Sequence, residues 1–136
     1  MAPVPYLFFN GTCRDALTFY GEVFGSAPTL MDASGMPAEY AVPEDRKGWI
    51  MHGSVEIEGG TLMASDNVTG TSDAMAGCAI QLDMPTAAEG EAVLQKLAQG
   101  GEVTMAWEPT FWSAGFGTCT DRFGIRWMVG TTEEHG

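Results

Sequence analysis

A chain of 136 residues with 45% apolar side chains is long enough for one domain with its own core and too apolar for disorder. Eighteen Asp and Glu against six Lys and Arg give a formal charge of −12, which excludes nucleic acid and anionic membranes as partners, since both are held through Lys and Arg. Two readings of the acidity stand: a solubility device, or a field that gathers a cationic ligand.

No apolar run approaches the ~20 residues of a membrane span. The start, Met1-Ala2-Pro3-Val4-Pro5, lacks the basic-then-apolar order of a secretory signal. The expected location is the cytoplasm. The cysteines Cys13, Cys78 and Cys119 are odd in number and lack CxxC spacing, against a disulfide framework or a zinc knuckle. Cys13 falls in the first turn of an expected helix, where the dipole would lower its thiol pKa. Three buried or half-buried inert thiols are the plainer reading.

In chain order, Val4 to Asn10 reads as an aromatic strand. Thr12-Cys13-Arg14-Asp15 fits a capping box, and Ala16, Phe19, Tyr20, Val23 and Phe24 follow at helical spacing until Gly25. Thr29 to Ala33 suits a short strand. Asp32 to Gly48 carries Pro37, Pro43 and a run of charges, so it reads as an irregular connection, a candidate lid or rim. Trp49 to Glu58 alternates: Met51, Val55 and Ile57 fall on one face, and His52, Ser54, Glu56 and Glu58 on the other. Gly59-Gly60 is the expected hairpin turn, with Thr61 to Ser65 as the return strand.

After a Gly-, Ser- and Thr-rich linker the pattern restarts. Gly77 to Asp83 is a strand, and Thr86-Ala87-Ala88-Glu89 is a second capping box. Val93, Leu94 and Leu97 continue its helix until Gly100-Gly101. The helices align box on box: Thr12 with Thr86, Asp15 with Glu89, Phe19 with Val93. Three strands close the chain, near residues 102–108, 115–120 and 125–130, the last two joined by a turn at Asp121 to Gly124. The expected fold is α+β: two βαβββ modules forming a concave mixed sheet with helices on the outer face, spanning about 3–66 and about 77–131 with a linker at about 67–76. Three of the four tryptophans fall within 105–128, which reads as a pocket wall.

This double βαβββ pattern resembles the vicinal oxygen chelate superfamily, the glyoxalase, bleomycin-resistance and dioxygenase group, and within it the PhnB-like branch. The matching residues are Tyr6-Leu7-x-Phe9, Gly11-x-Cys13-x-x-Ala16-x-x-Phe19-Tyr20, Phe24-Gly25, His52, Leu62-Met63-Ala64-Ser65-Asp66, Thr110-Phe111-Trp112, Phe116-Gly117 and Asp121-x-Phe123-Gly124-x-x-Trp127-Met128. Many proteins of the branch carry a methyltransferase-like label referring to demethylubiquinone. Gly115-x-Gly117 does not support that activity, because it lies between strands and not at a strand-to-helix turn. The resemblance also implies a divalent metal held by His, Glu or Gln at four inward strand positions. In this chain those positions fall near Val4, Met63, Ala79 and Met128, which supply no hard donor, so no metal and no cofactor are expected.

On the concave face the expected set is Tyr6, Phe8, His52, Ser54, Glu56, Ser65, Gln81 and Arg126, with Asp66, Glu108, Phe111 and Trp112 at the rim. His52 is the histidine inside the fold, with His135 in the tail. It reads as a structural, ligand-contacting or acid/base residue, and Glu56 or Asp66 is the carboxylate to orient it. Residues 52 and 56 share a strand face but lie ~13 Å apart, too far to share one ion. Where the branch often has an acid before Thr-Phe-Trp, this chain has Pro109, with Glu108 one place earlier. Two functions are compatible with this set. One is a glyoxalase/bleomycin-resistance-like protein that binds or sequesters a small molecule without the usual metal. The other is a PhnB-like isomerase or lyase using His52 as acid/base beside Glu56, metal-assisted if an ion binds in the cleft. A homodimer is expected in either case.

Overall fold

The computed structural model describes residues 2–134, so His135 lies outside the described residues. The chain divides into two compact units, Met1–Asp73 and Ala74–Gly136. In the first, β1 (Tyr6–Phe9), α1 (Cys13–Phe24), β2 (Thr29–Asp32), β3 (Ile50–Ile57) and β4 (Gly60–Asp66) follow in sequence. They build a four-stranded sheet in the order β1-β4-β3-β2, in which β1 and β4 run parallel and the other pairs antiparallel. The second unit repeats this with β5 (Ile80–Met84), α2 (Ala87–Leu97), β6 (Glu102–Glu108), β7 (Phe116–Thr120) and β8 (Arg126–Thr131), ordered β5-β8-β7-β6. The expected succession of βαβββ elements is therefore present in both halves.

Each sheet buries one face under its own helix. Leu7, Phe9, Val55, Leu62 and Ala64 are buried on the side of the sheet where α1, with its buried stripe Ala16, Leu17 and Tyr20, packs on β3 and β4. The helix comes so close that a Cβ placed at Gly53 would stand 2.6 Å from Leu17 Cδ1. In the second unit Cys119, Trp127 and Val129 are buried under Val93, Leu94 and Leu97 of α2. There Gly90 and Gly115 leave room for the Trp107 ring, which lies directly against both.

Several local expectations are corrected. Thr12 sits at the N-cap of α1 but makes no capping bond with its side chain. Instead the Asp66 carboxylate, at the far end of β4, accepts from the backbone N–H of Gly11 (2.8 Å), Cys13 (3.0 Å) and Ile50 (2.9 Å). Thr86 does cap α2, accepting from the Glu89 N–H at 3.1 Å. The β3–β4 hairpin turns one residue earlier than expected, at Glu58-Gly59, both at positive φ as a tight right-twisting hairpin requires. β5 begins at Ile80 and not at residue 77, because Gly77 has φ 69° and cannot sit in an extended strand. The irregular stretch after β2 holds three single turns of 3-10 helix. It is fastened by Arg46, whose guanidinium donates to the carbonyls of Asn67 (3.2 Å) and Gly70 (2.7 Å) and lies 4.4 Å from the centre of a Trp49 ring.

Asp66 is 4% exposed, so removing its carboxylate strands the buried N–H groups of Cys13 and Ile50 and frees the part-buried one of Gly11. Asp66→Ala is expected to destabilise the chain by about 3 kcal/mol, given ~1–3 kcal/mol for each buried group left unmet. Urea denaturation of both forms measures it, and a loss below ~1 kcal/mol would show that other groups satisfy those donors.

Candidate functional site

The face of the first sheet turned away from α1 follows from register. Tyr6 stands opposite Met63, Phe8 opposite Ser65, Ser54 opposite Met63 and Thr29, and Met31 opposite His52. Alternation thus brings Tyr6, Phe8, Met31, His52, Ser54, Glu56, Met63 and Ser65 to one surface. Phe8 is 58% exposed and Met31 51% exposed, large apolar side chains that the fold leaves uncovered within this unit. Tyr6 stacks obliquely on Phe8 with ring centres 5.1 Å apart.

His52 is bonded across the sheet. Its Nδ1 lies 3.1 Å from the Tyr6 hydroxyl, and the two ring centres are 5.8 Å apart. β1 and β3 are separated by β4, ~10 Å of backbone spacing, so only two long side chains can meet there. With the neutral Nε2–H tautomer, the Tyr6 hydroxyl donates to Nδ1 and the Nε2–H is presented outward as a donor. This pair was not foreseen, because it depends on strand order, which local pattern does not encode.

The two carboxylates expected to orient His52 do other things. Glu56 accepts from the Thr61 hydroxyl at 3.0 Å, on the neighbouring strand and two side-chain steps from His52. Asp66 is not at a rim. It lies on the helix-side face with Leu62 and Ala64, spent on the three backbone donors described above. The expected His–carboxylate pairing is therefore replaced by a His–Tyr pairing.

In the second sheet, register sets Gln81 opposite Met128, Thr118 opposite Met128, Thr120 opposite Arg126, and Asp83 opposite Gly130. These residues share the face away from α2. The Gln81 amide donates to Asp83 Oδ1 at 2.9 Å, and Asp83 is a residue that strand-face reasoning from a strand ending at 83 passed over. The Thr104 and Thr118 hydroxyls are 2.7 Å apart. Thr104, Thr118, Thr120, Arg126 and Met128 line a hollow of about 300 Å3. In the loop from β6 to β7, Phe111 is 93% exposed and packs edge-on against Trp112, which in turn meets Phe116 edge-on at 5.5 Å. Glu108 ends β6 opposite Phe116 and is exposed.

The superfamily's metal positions do not fit a metal here. Val4 and Ala79 have no donor, and Met63 and Met128 offer only thioether sulfur to their strand faces. Among the described residues no group of three or more His, Cys, Asp or Glu is arranged to hold an ion. Nor do the two buried thiols supply a nucleophile. Cys13 is pushed up to about 12, first by burial and then by the nearby Asp66 charge, the reverse of the lowering expected from the helix dipole. Cys119 is raised to about 11 by burial and by Asp121. Cys78 is exposed. A disulfide-exchange reagent near pH 8 is therefore expected to label Cys78 rapidly in the native chain and Cys13 and Cys119 only on denaturation, as mass spectrometry of the labelled peptides can check.

Known proteins agree with this geometry. A family model described as 3-demethylubiquinone-9 3-methyltransferase matches residues 2–130. Protein YjdN of Escherichia coli strain K12 is 32% identical over 142 residues, covering 96% of this chain and 95% of its own. Among solved structures, protein PA1353 of Pseudomonas aeruginosa superposes with a TM-score of 0.84 at 42% identity, covering 96% of this chain and 97% of that one. The PhnB protein of Bacillus cereus shares the fold, with a TM-score of 0.80 at 21% identity over 97% of this chain and 100% of its own.

Proposed function

We propose that this chain, which belongs to the PhnB-like branch of the vicinal oxygen chelate superfamily, is a glyoxalase/bleomycin-resistance-like binding protein for a small molecule. The ligand rests on the open face of the first sheet, against Tyr6, Phe8 and Met31. The observation that carries this reading is the exposure of those large apolar side chains around a polar His52–Tyr6 pair. Apolar walls with a few fixed polar groups are what a small-molecule site needs. The family's methyltransferase label is not carried over, since no glycine-rich strand-to-helix turn supports it.

A second reading is favoured by the His52–Tyr6 bond itself: an isomerase or lyase in which His52 moves a proton and Tyr6, in place of a carboxylate, holds its tautomer. The two readings separate experimentally. Amide NMR titration with phenol and indole is expected to shift Tyr6, Phe8, Met31 and His52, and Phe8→Ala is expected to weaken binding about tenfold, for a loss of ~1–2 kcal/mol of aromatic contact. Unmoved resonances on that face would end the binding reading. For a turnover found later, His52→Ala that abolishes the rate but keeps ligand affinity favours the enzyme.

The donor set argues for function without the superfamily's metal. Melting temperature in manganese, nickel, zinc or EDTA is expected to stay within ~1 °C, and a rise above ~3 °C with one ion would reverse that reading. Self-association through the exposed Phe111 and Trp112 is part of the proposal, tested by sedimentation of the parent and Phe111→Ser. Among the described residues no helix is long and apolar enough to cross a membrane, and a cytoplasmic site of action is proposed with it.

A further inference from the structure

The hollow of the second sheet has a chemistry of its own, distinct from the aromatic face of the first. Arg126 is one of only six Lys and Arg in a chain of formal charge −12, yet it lines this hollow beside three threonines. Its guanidinium has no carboxylate partner among the described residues. The acids on the same face are held off. Asp83 stands opposite Gly130, four residues from Arg126 along β8 and so ~13 Å away, and its Oδ1 already accepts from the Gln81 amide. Glu102 is in the same register row two strands over, is exposed to water, and makes no ion pair with Arg126 among the described residues.

The threonines complete a donor set. In the Thr104–Thr118 bond one hydroxyl gives its proton to the other, and the accepting hydroxyl keeps a proton to donate outward. The Thr120 hydroxyl, in the register row of Arg126, has no partner among the described residues. A guanidinium can only donate, so the group that satisfies the whole hollow must be rich in acceptors. Met128 and Ala79 supply apolar wall beside it.

We propose that this hollow is an anion subsite of the second unit that holds a small carboxylate, with Arg126 as its fork and Thr118 and Thr120 as hydroxyl donors. A planar carboxylate matches one guanidinium in two parallel hydrogen bonds. A dianionic phosphate would need more than one cation to offset a field set by eighteen carboxylates. The overall charge then acts as a filter: it repels polyanions, while one local cation admits a monoanion. This inference extends the proposal that the chain binds small molecules by giving the second unit a carboxylate ligand of its own.

The test is amide NMR titration of the full chain with phenylacetate, phenylacetamide and inorganic phosphate. Phenylacetate is expected to shift Thr104, Thr118, Thr120 and Arg126, and to bind about tenfold more tightly than its uncharged amide, the weight of one charge-assisted fork. Arg126→Gln is expected to erase that preference and Arg126→Lys to keep part of it, each with an otherwise unchanged amide spectrum. Equal binding of acid and amide, shifts mapping elsewhere, or no shift from phenylacetate at ~20 mM would overturn the subsite. Tighter binding of phosphate than of phenylacetate would overturn the carboxylate assignment. Phenol and indole shifts on Tyr6, Phe8 and His52 without phenylacetate shifts on Thr118, Thr120 and Arg126 would keep the first-unit reading while this inference falls, whereas clear phenylacetate shifts without the phenol and indole shifts would do the reverse.

Discussion

The first unit is organised around one buried carboxylate. Asp66 receives backbone donors from the turn after β1, the first residue of α1 and the first residue of β3, three places far apart in sequence. A carboxylate at a helix start also meets the positive end of the helix dipole. Because all three donors are main-chain groups, no substitution at Gly11, Cys13 or Ile50 other than proline removes them. The side-chain constraint therefore falls on residue 66. The second unit has its own buried acid, Asp121, which accepts from Phe123 (2.8 Å), Ile125 (3.0 Å) and the Trp127 indole (2.8 Å) and so sets the β7–β8 hairpin. Among the described residues no buried side-chain nitrogen or oxygen lacks a partner.

With these interior demands met, each sheet is free to differ on its other face. The first is aromatic and thioether-rich around a His–Tyr pair; the second is hydroxyl-rich around one arginine. The division follows from alternation, since beyond the irregular start of β3 at Ile50 its odd positions serve α1 while its even positions serve the open side. Chemistry can vary on that side without disturbing the helix contacts, which is how one fold carries many ligands.

Much of this was legible in the sequence. The order of elements followed from period-two alternation in β3, helical spacing in α1 and α2, and glycine punctuation. The faces of Tyr6, Phe8, His52, Ser54, Gln81 and Arg126 followed from parity. Parity also held the clue that was passed over for Asp66: it shares its phase with Leu62 and Ala64 and so belongs to the buried side, whereas its charge suggested a rim. The His52–Tyr6 bond was not legible, because local pattern does not say that β4 lies between β1 and β3. Nor was the thiol chemistry of Cys13, where a helix start suggests a reactive group but burial and a neighbouring carboxylate win.

The two helices are capped differently, and that difference bears on the order of assembly. α2 receives its cap from Thr86, three residues from the donor it satisfies, so its first turn can close as soon as the segment leaves the coil. α1 receives its cap from Asp66, 53 residues beyond Cys13, and its first turn is complete only once β4 has docked beside β1. Closing so long a loop comes late in folding, after local structure has formed. Two copies of one architecture are thus given different histories: in one half the helix can template the sheet, and in the other the sheet must finish the helix.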